Sequence, residues 1–363
     1  MAVRSSRTGR LRNRARRADR SAGGIRVVNG GSQRGIVITR IPESASSRNR
    51  LEEEIRAGFL SSPKRIPSKY FYDERGSRLF DRITRLPEYY LTRAETEILE
   101  RRAVEIIELS RPEELVELGA GFSRKTRLLV AAMLGAGTGH RYLPLDVSEE
   151  SLVDGAERLR ELFPELDVHV VVGDFTKHLS AVPRSGRQLV CFLGSTVGNL
   201  RPRQRARFYN ALRARLRPDD RLLIGYDLVK DRRTLEAAYN DARGVTAEFN
   251  RNILEVLNRE FGADFEPAAF EHVARYDPER RWIASSLRAT RAMSVNLRAV
   301  GLEVTIEAGE RIETEVSAKF DGPAVVRELA EAGLEAVWMR TDAENRFMLA
   351  LVGPGREAPA EER

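Results

Sequence analysis

The chain has 363 residues, of which 42% are hydrophobic and 32% charged, a composition typical of a globular protein with a large core. No apolar run approaches the roughly 18 residues of a membrane-spanning helix, which argues against a membrane protein. The single cysteine, Cys191, excludes an internal disulfide and predicts a reducing, cytoplasmic location. The histidines and the cysteine show no ligand spacing, so no metal site is predicted.

The net charge of +7 comes from the start of the chain. Residues 1–35 contain ten arginines and one aspartate, so the rest of the chain is slightly acidic. A Ser-, Gly- and Arg-rich segment does not bury a core, and we predict a disordered Arg-rich tail over residues 1–40. An arm that binds nucleic acid or a membrane surface is the alternative interpretation. Residues 354–363 are predicted to form a second, charged tail.

Residues 36–41 have the pattern of a short strand, and residues 44–62 and 92–109 have a helical period. Between the two helices, residues 69–90 mix aromatic and charged side chains without clean periodicity. The rings are too many for a surface helix, namely Tyr70, Phe71, Tyr72, Phe80, Tyr89 and Tyr90. They predict either local packing of a small lobe or a lid whose tyrosine hydroxyls meet a substrate.

The next stretch organises the chain. Residues 115–118 form an apolar run typical of a buried strand, Gly119 and Gly121 follow, and a helical period begins at Lys125. This succession predicts the first crossover of a doubly wound α/β sheet, with a ligand close to the glycines. A dinucleotide fingerprint needs a third glycine where Arg124 stands, so S-adenosylmethionine fits better than a pyrophosphate. A glycine turn in some other α/β domain remains the simpler alternative.

Strand patterns at residues 141–147, 168–172, 189–193 and 221–227 alternate with helical patterns and predict a parallel sheet with right-handed crossovers. Polar and small residues follow the strands at the edge where such sheets bind ligands. Asp146 can accept from ribose hydroxyls, Asp174 from an adenine amino group, and Phe175 can cover the adenine ring. The run at residues 194–199 allows close approach and ends in Asn199, which can both donate and accept.

The alternation stops after residue 227. Residues 231–258 are predicted to form one long polar helix, and strand-like stretches follow at residues 272–276, 282–291 and 302–306. A last helix at residues 323–333 precedes a hairpin. We therefore predict a second lobe inserted before the sheet is complete.

Several short runs now carry a resemblance. They are YFYDERGS (70–77), LPEYY (86–90), ELGAG (117–121), GDF (173–175), FLGSTVGN (192–199), DLVKD (227–231), GVTAEFNRN (244–252) and TEVSAKF (314–320). Together they resemble the histidine-specific methyltransferases of ergothioneine biosynthesis, over almost the whole chain except its two ends. The glycine turn is shared by many methyltransferases, whereas the aromatic run, the loop at residues 194–199 and the last run are specific.

The resemblance implies an S-adenosylmethionine-dependent enzyme that methylates the α-amino group of free L-histidine three times, giving hercynine. It implies an α/β fold in which a Rossmann-like class I methyltransferase sheet carries a smaller α+β substrate-binding lobe. We assign residues 41–93 and 229–317 to the substrate-binding domain, and residues 94–228 and 318–353 to the cofactor-binding domain. A monomer without membrane or nucleic-acid partners is expected.

The resemblance also implies site residues by position. Those for the cofactor are Gly119, Gly121, Lys125, Asp146, Asp174 and Phe175. Those for the substrate are Tyr72, Tyr89, Gly194, Asn199, Tyr239, Glu315 and Ser317. Tyr72 is expected to meet the amine, Asn199 and Tyr239 the carboxylate, and Tyr89, Glu315 and Ser317 the imidazole edge. In a strand, Glu315 and Ser317 at i and i+2 share one face.

One departure affects the substrate assignment. In the histidine enzymes of this family a methionine packs against the imidazole, at the position that Ser285 occupies here. A smaller, polar residue leaves room for a water or a larger ring, so tryptophan or tyrosine stays an alternative substrate. A nucleic-acid-associated methyltransferase and a non-catalytic binding protein are further alternatives. The slightly acidic body and the absence of an Asn-Pro-Pro-Tyr type motif argue against the former.

Overall fold

The computed structural model describes residues 25–28, 35–41 and 45–355, with residues 25–28 and 45–47 as backbone only. Most of the predicted Arg-rich tail, and residues 356–363 of the second tail, lie outside the described residues. The helices are α1 Ala45–Leu60, α2 Glu74–Ile83, α3 Tyr90–Ser110, α4 Thr126–Gly135, α5 Glu149–Leu162, α6 Phe175–His178, α7 Pro202–Arg215, α8 Arg232–Ala238, α9 Val245–Phe261 and α10 Gly322–Glu331.

The strands were predicted only in part, since β1, β10 and the full length of β12 had no clear signal. They are β1 Ile25–Val28, β2 Ile36–Arg40, β3 Glu114–Leu118, β4 Arg141–Asp146, β5 Asp167–Val172, β6 Gln188–Phe192, β7 Arg221–Asp227, β8 Phe270–Asp277, β9 Trp282–Ala289, β10 Met293–Leu297, β11 Leu302–Ile306, β12 Arg311–Ala318, β13 Leu334–Thr341 and β14 Phe347–Pro354.

Nine of these strands form one sheet in the order β1-β2-β5-β4-β3-β6-β7-β14-β13. The strands from β2 to β7 pair in parallel, and β14 runs antiparallel to both β7 and β13. The predicted doubly wound sheet and final hairpin are thus confirmed. The strand order reverses beside β3, so the crevice for a ligand opens at the carboxyl ends of β3 and β6.

Both faces of the sheet are covered, which explains why every residue of β3 and β6 is buried and why both strands are rich in apolar residues. Successive residues of a strand point to opposite faces, and Leu115 and Val116 belong to two different hydrophobic clusters. α3, α4 and α5 pack on the Leu115 side, and α7 and α10 pack on the Val116 side.

A second, antiparallel sheet in the order β12-β9-β8 follows β7 in the chain, together with the β10–β11 pair. α9 packs against β8, β9 and α2. Lys64 and Ile66 form backbone hydrogen bonds of 2.9 Å with Glu313 of β12, so the early and late segments join here. This agrees with a lobe built from two segments, while its exact domain boundaries stay a prediction.

Two expectations need correction. Residues 36–40 are not tail, because β2 pairs with β5 and buries Ile36 and Ile38. Residues 231–258 are not one helix, because the chain turns between α8 and α9, where Gly244 adopts a φ of +71°.

Candidate active site

The loop after β3 leaves space that only glycine permits. Gly119 has a φ of +68°, which other residues rarely adopt, and its N–H donates to the carbonyl of Leu145 at 2.8 Å. A Cβ added at Gly119 would lie 3.7 Å from the ring of Phe175. The backbone and this ring therefore form the two sides of a cradle that a side chain would narrow.

Asp146 lies at the carboxyl end of β4, beside the glycine loop. Its Oδ2 accepts from the N–H of Gly121 and its Oδ1 from the N–H of Ser148, each at 3.0 Å. Burial raises the pKa of Asp146, although the backbone donors act in the opposite direction. The carboxylate is held in place, and its remaining lone pairs can accept from the hydroxyls of a ribose.

Asp174 and Phe175 follow β5 as predicted. Asp174 Oδ1 accepts from the N–H of Thr176 at 2.9 Å, which starts the short helix α6. The Phe175 ring packs edge-on against Phe192 and Phe208, with ring centroids 5.2 and 5.8 Å apart. Phe175 thus belongs to the core and also forms part of the cavity wall.

Lys125 is tied to a residue that sequence reasoning did not single out. Its ammonium pairs with the carboxylate of Glu95, whose side chain is buried on α3. The N–H of Gly194 donates to the two oxygens of the same carboxylate at 2.8 and 3.0 Å. Glu95 therefore connects the predicted cofactor and substrate residues. The one signal for it in the sequence is an acid on the apolar face of a helix.

These residues surround one cavity of about 560 Å³. Its lining includes all six predicted cofactor residues and, from the substrate set, Tyr72, Tyr89, Gly194, Asn199 and Glu315. The same five residues also line a smaller pocket of about 50 Å³. That pocket further includes Tyr239, Ser285 and Ser317. The structure therefore places every predicted site residue in the lining of one or both of two cavities, which share part of their walls.

Glu315 and Ser317 both line the smaller pocket, as their spacing on a strand predicts. Asn199 Nδ2 donates to Glu315 Oε1 at 3.1 Å. Burial raises the pKa of Glu315 to about 7, and the charge of Lys319 partly opposes this shift. The carboxyl group can therefore change protonation state near neutral pH.

The aromatic segment divides between core and pocket. Phe71 stacks on Phe249 with a centroid distance of 4.6 Å and is almost fully buried. Tyr72 and Tyr89 line the pocket and lie on either side of Phe80, at centroid distances of 5.8 and 6.1 Å. Burial raises the pKa of both tyrosines well above its usual value, so both hydroxyls stay protonated.

Tyr239 lies at the turn between α8 and α9 and belongs to a buried network. Its hydroxyl is 2.8 Å from Ser317 Oγ. Lys319 Nζ donates to Tyr239 OH at 2.9 Å and to Ser317 Oγ at 2.8 Å, and it pairs with Asp227 Oδ2 at 2.8 Å. Lys319 and Asp227 were part of the resemblance, but sequence reasoning gave neither a role.

The wall of the smaller pocket also contains polar residues that the sequence analysis did not predict. His272 Nε2 lies 2.7 Å from the carbonyl of Tyr239, which can only accept, so Nε2 carries the proton. His272 Nδ1 then accepts from Asn250 Nδ2 at 2.7 Å. Asn250 Oδ1 has no hydrogen-bond partner among the described residues. Ser285, directly opposite Glu315 in the β9–β12 pair, completes this polar wall.

The sheet order, the glycine loop and the acidic residues at the ends of β4 and β5 define a class I S-adenosylmethionine-dependent methyltransferase. The model of the family described as "Histidine-specific methyltransferase, SAM-dependent" matches residues 51–354. The chain belongs to this family. The predicted kind of enzyme and its cofactor are thereby confirmed. No helix among the described residues is long and apolar enough to cross a membrane.

Similar proteins carry names that agree with the family. The chain is 49% identical over 306 residues to the histidine N-alpha-methyltransferase of Mycolicibacterium smegmatis, covering 84% of this chain and 95% of that protein. It is 48% identical over 301 residues to the enzyme of the same name from Mycobacterium tuberculosis, covering 83% and 94%. Ergothioneine biosynthesis protein 1 of Schizosaccharomyces pombe is 33% identical over 226 residues, 59% of this chain and 29% of that protein.

Proposed function

We propose that the protein methylates the α-amino group of free L-histidine three times, forming hercynine for ergothioneine biosynthesis. The observation that carries the proposal is a pair of cavities with shared walls, the larger lined by the cofactor residues and the smaller by Glu315, Ser317 and Asn199. The two mycobacterial relatives, named for histidine and nearly half identical, support the same substrate.

S-adenosylmethionine, when bound, supplies an electrophilic methyl group on a sulfonium sulfur. The chain then has to present a neutral amine, because an ammonium has no lone pair for attack. Burial disfavours charged groups, so an enclosed site lined by the rings of Tyr72, Phe80 and Tyr89 favours the neutral amine. No side chain is assigned as a strong base, and the Tyr72 hydroxyl is the group proposed to meet the amine.

The substrate has to keep the same position while its amine gains methyl groups. After two methylations the nitrogen has no N–H left, so hydrogen bonds to the amine no longer hold it. The carboxylate and the ring keep the same hydrogen-bonding atoms throughout. We therefore assign orientation to the carboxylate contacts, from Asn199 and Tyr239, and to the ring contacts, from Glu315 and Ser317. Fixed orientation of reacting groups is itself a large part of such catalysis.

Ring recognition follows from donors and acceptors. A neutral imidazole has one N–H and one bare nitrogen, and ionised Glu315 accepts from the former. Ser317 carries a hydroxyl that can donate to the latter. A site with buried polar partners rejects rings that lack the matching atoms by large factors.

The test is a steady-state assay with a panel of amino acids and labelled S-adenosylmethionine, with products identified by mass. The expected result is a histidine product three methyl groups heavier than histidine. Tryptophan or tyrosine turning over faster than histidine would transfer the assignment to the alternative substrate that Ser285 leaves open.

Glu315→Ala should raise the KM for histidine, and an unchanged KM would remove Glu315 from ring recognition.

We also propose that the enzyme works as a monomer in the cytoplasm. Every residue assigned to the two substrates comes from one chain, so the site needs no second copy. The buried single cysteine, Cys191, fits a reducing compartment. Light scattering of the purified protein tests the first point, because a stable dimer would contradict it. Fractionation of cells tests the second.

A further inference from the structure

Lys319 is a buried cation without contact to water. It follows β12 directly, and its side chain is fully enclosed. Three acceptors lie within hydrogen-bond distance of its Nζ, namely Asp227 Oδ2 at 2.8 Å, Tyr239 OH at 2.9 Å and Ser317 Oγ at 2.8 Å. An ammonium has three N–H groups, so all three are used and both hydroxyl oxygens accept from Lys319.

The two hydroxyls also bond each other, since Tyr239 OH and Ser317 Oγ are 2.8 Å apart. If Tyr239 donates to Ser317, both lone pairs of the serine oxygen are occupied and only the serine proton remains free. If Ser317 donates to Tyr239, the tyrosine proton remains free instead. In both arrangements the pair offers a single O–H group to the pocket. The group of the substrate that meets this O–H must be an acceptor.

Asp227 keeps Lys319 in this position and is itself bound from several sides. Lys230 Nζ lies 2.5 Å from Asp227 Oδ1, and Tyr90 OH donates to the two carboxylate oxygens at 2.8 and 2.9 Å. Glu315 also lines this pocket, so two lysines face two carboxyl groups, and the Lys319 ammonium is the positive charge that contacts the hydroxyl pair. Such a charge favours a negative or lone-pair atom of the ligand at the Tyr239–Ser317 pair.

We propose that Lys319 is a positioning residue for substrate recognition. The mutual hydrogen bond leaves the Tyr239–Ser317 pair a single free proton, and Lys319 occupies a lone pair on each of the two oxygens. The pair therefore meets the amino acid as a donor, at a carboxylate oxygen or an unprotonated ring nitrogen. The inference rests on the proposed function and adds a constraint to it. Of the two donations assigned above, from Tyr239 to the carboxylate and from Ser317 to the ring, only one can be made at a time.

Lys230 provides a matched control, because both lysines pair with Asp227 but only Lys319 contacts the substrate-facing hydroxyls. Lys319→Met leaves Asp227 bound to Lys230 and Tyr90. We expect it to raise the KM for histidine by about tenfold with a smaller change in kcat, the effect of weakening one charge-assisted hydrogen bond. Lys230→Met should change KM by less than about threefold. Calorimetry should give both variants the wild-type affinity for S-adenosylmethionine.

Equal KM changes in the two lysine variants would overturn the proposal, since they would reflect only the lost charge. A double-mutant cycle of Tyr239→Phe and Ser317→Ala keeps the idea testable if Lys319→Met does not fold. One single variant should raise KM strongly, the other weakly, and the double variant should resemble the worse single one. Two large and additive effects would mean that each hydroxyl donates its own proton to the substrate, and would refute the inference.

The result of these variant experiments can be interpreted separately from the test of the proposed function. If wild-type enzyme does not methylate histidine, the histidine assignment fails, and the same variants are assayed with the amino acid that is turned over. The count of free protons does not depend on which ring is present, so the same pattern of KM values is expected.

Discussion

Glu315 is an ionisable residue in an enclosed position, and its proposed role depends on its charge. In the proposed function its carboxyl group accepts from a ring N–H, which requires the ionised form, while burial raises its pKa to about 7. Because the pKa in the folded protein lies above that of an exposed glutamate, protonation stabilises the fold. This contribution to stability is complete below the usual value of about 4.5 and is lost as pH rises through about 7. The proposed binding of the imidazole ring depends on pH in the opposite sense, because it requires the ionised carboxylate.

We expect the KM for histidine to fall as pH rises through about 7, because Glu315 becomes ionised over this range. Steady-state kinetics over about three pH units, roughly pH 5.5 to 8.5, measure the pH at which KM is midway between its two limits. The imidazole of the substrate titrates close by, at about 6.5. Glu315→Gln should therefore remove the component near 7 and leave that of the imidazole. An unchanged midpoint in this variant would assign the whole effect to the substrate.

Ser285 stands where the resemblance to the histidine enzymes leads us to expect a methionine. It is buried on β9, opposite Glu315, and it lines the smaller pocket. A serine here leaves both extra volume and a hydroxyl beside the ring. The consequence is a ring pocket with weaker steric selection against larger aromatic amino acids.

Ser285→Met should raise the preference for histidine over tryptophan, since the longer side chain fills the space that a larger ring needs. Apolar contacts discriminate by about 1–3 kcal/mol per methylene, so a change of about tenfold in the ratio of kcat/KM values is expected. Competition assays with both amino acids measure this ratio. Ser285→Ala removes the hydroxyl without adding volume, and an equal change in that variant would contradict the steric explanation.

At the scale of elements, α2 links the aromatic segment to the rest of the substrate lobe. Asp73 caps this helix by accepting from the N–H of Gly76 at 2.8 Å. The same carboxylate accepts from Asn252 Nδ2 at 2.8 Å and from Arg259 Nη1 at 3.1 Å, both on α9. One side chain therefore starts α2 and attaches it to α9. α2 carries Phe80, which packs against both Tyr72 and Tyr89.

Asp73→Ala should lower the free energy of unfolding by about 1–2 kcal/mol and also raise the KM for histidine. Asp321 caps α10, on the other side of the large sheet, by accepting from Ala324 N at 2.8 Å. Asp321→Ala should cause a similar loss of stability without a change in KM. Urea unfolding and steady-state kinetics of both variants decide the matter. Equal KM values in the two variants would show that the cap of α2 has no role in the site.

At the scale of the whole molecule, two sheets meet around the cavity, and ion pairs join their outer parts. Arg124, at the position of the missing third glycine, pairs with Asp81 of α2 at 2.7 and 3.2 Å. Arg78 of α2 pairs with Glu150 of α5 at 2.7 Å. The arginines of these pairs are largely exposed, and such pairs stabilise little in water. The union of the two parts depends mainly on the hydrophobic cluster that runs through both.

The first strands of the large sheet allow a test at this scale. Removal of residues 1–34 leaves β2 intact, whereas removal of residues 1–41 deletes it. β2 contributes the buried side chains of Ile36 and Ile38, and burial of each stabilises the fold by about 1.5–3 kcal/mol. Loss of β2 also exposes an edge of β5. The longer deletion should therefore lower the melting temperature clearly more than the shorter one. It should also weaken S-adenosylmethionine binding, because Asp174 follows β5. Equal melting temperatures would mean that β2 adds nothing to the sheet.

Much of the fold was predictable because the signals are local. Residues 115–118 and 189–193 are apolar runs too short for a helix, and glycines or small residues follow them directly. The long helix predicted at residues 231–258 was wrong because polar segments have weak periodicity, and the turn before Gly244 depends on contacts elsewhere. Among these, the Asp241 carboxylate accepts from the N–H groups of Val245 and Thr246.

The sequence by itself determined the class of fold, the glycine loop with its acidic partners at the strand ends, and the family. These rest on short runs whose residue types have local causes. Only the tertiary structure decided that Lys319 lies between Asp227, Tyr239 and Ser317, and that Glu315 is buried enough to titrate near neutral pH. Such properties depend on groups that are far apart in the chain and on how completely they exclude water, and neither leaves a pattern in neighbouring residues.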